Sequence, residues 1–193
     1  MKKKILFIGA LLTAGVFPGC IDKTSQTTNE QVLLTDEETL IDRGKYLVTL
    51  SGCNDCHSPK IMTDHGPEPD PSRLLSGHMQ EEKLPPIDDN AGKDGWVKFN
   101  MNLTAAVGPW GTSFAANLTP HETGIGTWNF EQFKTAIQKG KYKGLEESRM
   151  LLPPMPWQMY KNIKEDDLKA IFAYLKSLPP VNNLVPQPIL SNP

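Results

Sequence analysis

Three cysteines in 193 residues are too few, and odd in number, for a disulfide-built scaffold. The longest apolar run, residues 5–16, is too short to span a bilayer comfortably. Beyond Lys2, Lys3 and Lys4 there is no basic run and no interleaving of basic with aromatic residues, which argues against nucleic acid as a partner. No segment repeats, and no βαβ pattern appears. With 20 Lys and Arg against 22 Asp and Glu, the chain has no strong charge of either sign. Its 38% hydrophobic and 22% charged residues are those of an ordinary soluble protein, one domain with short extensions. The 17 prolines and 15 glycines exclude an all-helical bundle and predict long irregular loops between few helices.

What is present is concentrated in one pentapeptide. Cys53-Asn54-Asp55-Cys56-His57 spells C-x-x-C-H, the attachment signature of a c-type haem. Two thiols three positions apart add across the porphyrin vinyl groups as thioethers, and the adjoining imidazole then lies under the iron as proximal ligand. One such motif occurs, so the reading is one covalent haem c.

The start of the chain, Met1-Lys2-Lys3-Lys4 and then the short apolar run, has the charged and hydrophobic regions of a secretory signal peptide. Phe17-Pro18-Gly19-Cys20 resembles the lipobox of bacterial lipoproteins, in which the cysteine is acylated and becomes the new N-terminus. Residues 1–19 are therefore read as a lipoprotein-type signal peptide and 20–34 as a lipid-anchored, polar, flexible tether. Lipid on Cys20 and haem on Cys53 and Cys56 leave no cysteine for a structural disulfide. Loss of residues 1–19 removes three lysines and no acid, taking the formal charge from −2 to −5.

The domain is read over residues 35–182, with 183–193 as a C-terminal tail. Thr35-Asp36-Glu37-Glu38 has the form of a capping box and should start a helix that Gly52 ends, with Leu40, Ile41, Leu47, Val48 and Leu50 on its apolar side and Gly44 leaving room for a crossing helix. A second helix is predicted from Thr127 as N-cap to Gly140. A last one runs from after Asn162, with Glu165 three positions on, to about Leu178, where Pro179-Pro180 stops it. Leu168, Ile171, Phe172 and Leu175 form its core-facing stripe. Between them, residues 58–120 read as a Pro- and Gly-rich loop region, with a short hairpin around Trp96–Leu103. Leu74, Leu75, Trp96, Phe99, Met101, Leu103, Trp110 and Phe114 there would cover a haem face and edge. The fold class is thus mostly α, three to four helices around one haem.

An electron carrier with two axial ligands needs a second one, and Met155 in Leu151-Leu152-Pro153-Pro154-Met155-Pro156-Trp157 is the candidate. Pro156 keeps Met155 out of the α region, so the thioether can be presented from an extended segment. Met79, Met101 and Met150 are alternatives, Met150 and Met159 reading more simply as core filler. His65, His78 and His121 are the histidine rivals; a surface metal site from Thr63-Asp64-His65 with His78 has no specific spacing behind it.

These residues, with Arg43-Gly44-Lys45-Tyr46-Leu47-Val48, Gly108-Pro109-Trp110-Gly111-Thr112-Ser113-Phe114-Ala115-Ala116-Asn117-Leu118-Thr119-Pro120, Thr123-Gly124-Ile125-Gly126-Thr127-Trp128 and Ala173-Tyr174-Leu175-Lys176-Ser177-Leu178-Pro179-Pro180-Val181, give a chain that resembles bacterial monohaem c-type cytochromes. The likeness is especially to the haem modules of cytochrome subunits of membrane-bound dehydrogenases, over most of residues 40–182. The resemblance implies the cytochrome c fold, first and last helices crossing near Gly44 and Tyr174, His57 and Met155 as axial ligands, and residues 117–119 near the haem. His121 stands where such proteins commonly carry Asp, and one haem motif stands where they usually carry several.

The function expected is electron transfer by an exported, membrane-tethered lipoprotein facing the periplasm or cell exterior, with a redox partner protein on either the dehydrogenase or the terminal oxidase side. The alternatives are a haem c redox enzyme (peroxidase or sulfur-compound oxidoreductase), a haem-based redox or gas sensor, and a haem-free thiol oxidoreductase using Cys53 and Cys56.

Overall fold

A computed structural model describes residues 36–86, 90–93 and 95–191. The leader, Cys20, the tether and Thr35 of the capping box lie outside them. All described residues belong to one unit, residues 34–193, and none of their helices is long and apolar enough to cross a membrane.

Helix α1 (Asp36–Leu50) opens with Asp36, Glu37 and Glu38, and α5 (Glu165–Ser177) with Glu165, Asp166 and Asp167. Acidic first turns of this kind offset the positive end of the helix dipole. The two helices pack through Gly44 and Val48 of α1 and Ala170 of α5, so closely that a Cβ on Gly44 would overlap the Ala170 carbonyl oxygen. Val48 with Leu168, Ile171 and Leu175 of α5, Phe133, Leu75 and Ile125 make the buried core. Burial of each large apolar side chain contributes roughly 1.5–3 kcal/mol. Arg43 and Asp167 pair at 2.9 Å across the outside of the crossing. Leu40 and Leu50, expected on the apolar side, are exposed, Leu50 by 69%. The stripe that α5 covers is narrower than the run of leucines suggests.

Helix α2 is the pentapeptide Cys53–His57. Helix α3 (Phe130–Lys139) is capped by Asn129, whose side chain accepts the Gln132 N–H at 2.8 Å, and not by Thr127. A cap must accept from the second or third amide of its helix, and Thr127 lies too early for that. Gly140, at φ 66, ends α3 as predicted. A short α4 (Trp157–Tyr160) precedes α5. The expected box of Asn162 with Glu165 does not form, because α5 starts at Glu165 after Lys164 in extended conformation.

The region read as one long loop holds two small antiparallel sheets. Strands β1 (Lys60–Thr63) and β2 (Gly66–Pro69) form a hairpin. β3 (Lys98–Phe99), β4 (Ala105–Gly108), β5 (Gly111–Phe114) and β6 (Ile189–Leu190) follow one another in a second sheet. The hairpin placed at Trp96–Leu103 is instead one strand and its turn, the partner lying beyond at Ala106 and Val107. Asn100 closes that turn, its Oδ1 accepting the Ala105 N–H at 2.9 Å. Trp96, Phe99, Met101 and Leu103 are exposed, Met101 by 84%, whereas Leu75 is core. With about 33% of the described residues helical beside these sheets, the mostly α expectation is met only in part.

Residue 182 does not end the packed chain. Asn183 is buried, its Nδ2 donating to the Ser76 and His78 carbonyls at 2.7 and 2.9 Å and its Oδ1 accepting the Gln80 N–H at 2.9 Å, and β6 then pairs with β5.

Candidate functional site

In α2 the two cysteines lie three positions apart, one helical turn, with His57 at the C-terminal end. Cys53 and Cys56 are free thiols, both half-buried. Burial pushes the Cys53 thiol up to about 11 and raises that of Cys56 as well. A disulfide oxidoreductase needs the opposite, a thiol lowered toward neutrality. The end of α2 is closed by Lys60, whose ammonium donates to the carbonyls of Asn54, Asp55 and Ser58 at 3.1, 2.9 and 2.5 Å. A cation there suits the negative end of the helix dipole.

His57 is 9% exposed, and its Nδ1 lies 2.7 Å from the Ala116 carbonyl oxygen. A carbonyl only accepts, so Nδ1 carries the proton and Nε2 is the nitrogen left with a lone pair for a metal. Burial lowers the imidazole's affinity for a second proton, which keeps it in the neutral, ligating form. The backbone holds it from the other side. Gly77 N–H donates to the His57 carbonyl at 2.7 Å, and a Cβ on Gly77, at φ 80, would meet the Ala115 carbonyl oxygen at 2.5 Å. Glycine is needed there both for the conformation and for the closeness of the crossing.

Met155 is half-buried between exposed Pro154 and Pro156. Its segment is fastened upstream by the Ser113 hydroxyl donating to the Pro153 carbonyl at 2.7 Å and by Leu151 N–H to the Gly140 carbonyl at 2.6 Å. Downstream, the Trp157 ring lies so close over Gly140 that a Cβ there would overlap it. His57 and the Met155 segment therefore take their positions from the same stretch, β5 and its extension to Asn117, through Ala116 and Ser113. Asn117 fixes that stretch: its Oδ1 accepts from Thr119 N–H and hydroxyl at 2.9 and 2.7 Å, and its Nδ2 donates to the Val181 carbonyl at 2.9 Å.

The alternatives separate by environment. Met150 and Met159 are exposed, Met159 by 75%, and so are not core filler, and Met101 is also exposed. Met79 is buried with its sulfur 3.6 Å from the Ser76 hydroxyl. His65 is exposed in the β1–β2 turn. His121 Nδ1 accepts the Thr123 N–H at 3.2 Å. His78 is fully buried, its Nδ1 2.9 Å from the Thr104 hydroxyl and its ring centroid 4.8 Å from that of Phe114. Among the described residues no group of three His, Cys, Asp or Glu is placed to hold a metal ion, so a surface site at Asp64 and His65 with His78 does not form. A shallow groove lined by Leu84, Pro86, Phe99 and Val107 contains none of the candidate residues.

The residues present fit a covalent haem: free thiols one turn apart, a neutral imidazole with its outer nitrogen committed to a carbonyl, and a thioether on a fastened segment. Ser113 and Asn183 belong to this frame although nothing in the sequence marks them. Each is a lone polar residue whose partner lies far away in the chain, and no local pattern marks such a residue.

No family model matches the chain. Over 138 residues, 71% of this chain and 23% of the relative, it is 28% identical to the gluconate 2-dehydrogenase cytochrome c subunit of Pantoea cypripedii. Over 139 residues, 72% of this chain and 21% of the relative, it is 27% identical to the cytochrome c subunit of the alcohol dehydrogenase (quinone) of Gluconobacter oxydans. Over 136 residues, 70% of this chain and 20% of the relative, it is 26% identical to the fructose dehydrogenase cytochrome subunit of Gluconobacter japonicus. The chain spans less than a quarter of the length of each of these relatives.

Proposed function

We propose that this homologue of dehydrogenase cytochrome c subunits is an electron carrier of the cytochrome c fold. It would hold one haem c through Cys53 and Cys56, with His57 and Met155 as the residues that would ligate its iron. The observation that carries the reading is α2 itself, where both thiols and an imidazole oriented by Ala116 share one short helix. Bound there, the haem supplies one-electron exchange at its iron.

The chain's residues do the rest. His57 enters as a neutral donor with its ring direction set, so its ligation needs no proton release from the imidazole. As a ligand, the Met155 sulfur would favour the reduced state relative to a second imidazole and so raise the potential. Pro153, Pro154 and Pro156 restrict the backbone on both sides of Met155 and would limit how far that sulfur can move away. Around Met155 the sequence places prolines and Trp157 rather than an acid, base or thiolate, which favours a carrier over a haem enzyme. An anchor on Cys20 would place the carrier at a membrane outside the cytoplasm. The relatives' names support a dehydrogenase as its partner, met by weak and transient docking.

A reduced-minus-oxidised spectrum should show sharp α and β bands that carbon monoxide leaves unchanged. Ready carbon monoxide binding by the wild-type protein would reject a stable two-ligand site.

A further inference from the structure

Helix α4 is four residues long and follows directly on the Met155 segment, too short to be stable by its own backbone bonds. Its last residue bonds to a part of the chain far away in sequence. The Tyr160 hydroxyl donates to the Ser51 carbonyl at 2.8 Å, a separation of 109 positions in the chain. Ser51 follows the last residue of α1 and stands two residues before Cys53, where a helix end leaves carbonyls without intrahelical partners. The phenol is half-buried. Burial, with Cys53, Cys56 and Asp55 nearby, raises its pKa above the ordinary tyrosine value, so it remains a donor at physiological pH.

The bonds from Ser113 to Pro153 and from Leu151 to Gly140 both lie upstream of Met155. The Tyr160 bond lies downstream, and its partner is on the attachment side of the site, not in the sheet or at the end of α3. We propose that Tyr160 is a positioning residue that clasps the Met155 side of the site to the start of the haem-attachment helix and so keeps the thioether on the iron. This rests on the function proposed above. Without the clasp, α4 and the downstream end of the Met155 segment swing more freely, and the sulfur spends more time detached.

The test uses the full-length haem-loaded protein carrying Tyr160→Phe, which keeps ring and packing and removes only the hydroxyl. A part-buried neutral hydrogen bond of this kind changes an equilibrium by about 2- to 10-fold. Carbon monoxide affinity of the reduced variant should therefore rise by about that factor over wild type, and its reduction potential should fall, with haem still covalently attached. Tyr174→Phe, another half-buried phenol, at the α1–α5 crossing, should leave both readouts at wild-type values. Wild-type affinity and potential in Tyr160→Phe would overturn the clasp while leaving the carrier intact. Equal shifts in Tyr174→Phe would also overturn it, by showing general loosening. A wild-type protein without haem would remove the carrier reading and the clasp with it.

Discussion

Met155→Ala should keep its haem yet bind carbon monoxide in the reduced state at least about tenfold more tightly than wild type, and its potential should fall by on the order of 100 mV. That drop is a modest part of the roughly 0.8 V over which axial ligands move haem potentials. The thermal midpoint of the polypeptide should change little by comparison. Met155 is only half-buried and flanked by exposed prolines, so truncation costs less apolar burial than at a core site. The effect is then one of ligation and not of folding. Met159→Ala and Met150→Ala, both at exposed sites, should leave spectrum and potential unchanged. If Met155→Ala kept the wild-type potential and resistance to carbon monoxide, the sixth ligand would have to be sought elsewhere, with buried Met79 the next to try.

Gly44→Ala should lower stability by about 3 kcal/mol or more, read as a fall of roughly 10 °C in the thermal midpoint. Two effects oppose each other at this position. Alanine is the better helix former by about 1 kcal/mol, which alone would stabilise α1. Its methyl, however, would overlap the Ala170 carbonyl oxygen and stand 2.6 Å from the carbonyl carbon and 2.7 Å from the Tyr174 Cβ. These are backbone and near-backbone atoms that no rotamer change moves, so α1 and α5 must separate and loosen Val48 against Leu168, Ile171 and Leu175. The clash outweighs the propensity. An unchanged or raised midpoint in Gly44→Ala would mean that the two helices do not cross as closely as this.

The parts of this protein that local chemistry dictates were legible before the structure. The C-x-x-C-H turn, the Gly140 stop and the Leu168–Leu175 stripe each depend on a few neighbouring side chains, and each is where the pattern puts it; Gly44 showed room for a crossing helix, and the resemblance named the last helix as its partner. The likeness to dehydrogenase cytochrome subunits is borne out by the relatives. The sheets were not legible. β4 is Ala-Ala-Val-Gly and β5 is Gly-Thr-Ser-Phe, too small and too polar to show the alternation of a strand. Their register is held by neighbours on both sides and by the Asn100 turn. The place of Asn183 was hidden for a related reason, since its partners Ser76, His78 and Gln80 lie more than a hundred positions away. Leu40 and Leu50 misled in the other direction: apolar spacing marks a face, but the partner helix decides how much of it is covered.

Everything proposed for this protein requires one haem covalently held by Cys53 and Cys56. Intact-mass measurement of the denatured chain, made in a host competent for cytochrome c maturation, tests it most directly, with fragmentation to locate the addition. One haem per chain is expected, retained through denaturation and found on the peptide containing both cysteines. A chain at its bare polypeptide mass, or haem released on unfolding, would contradict it.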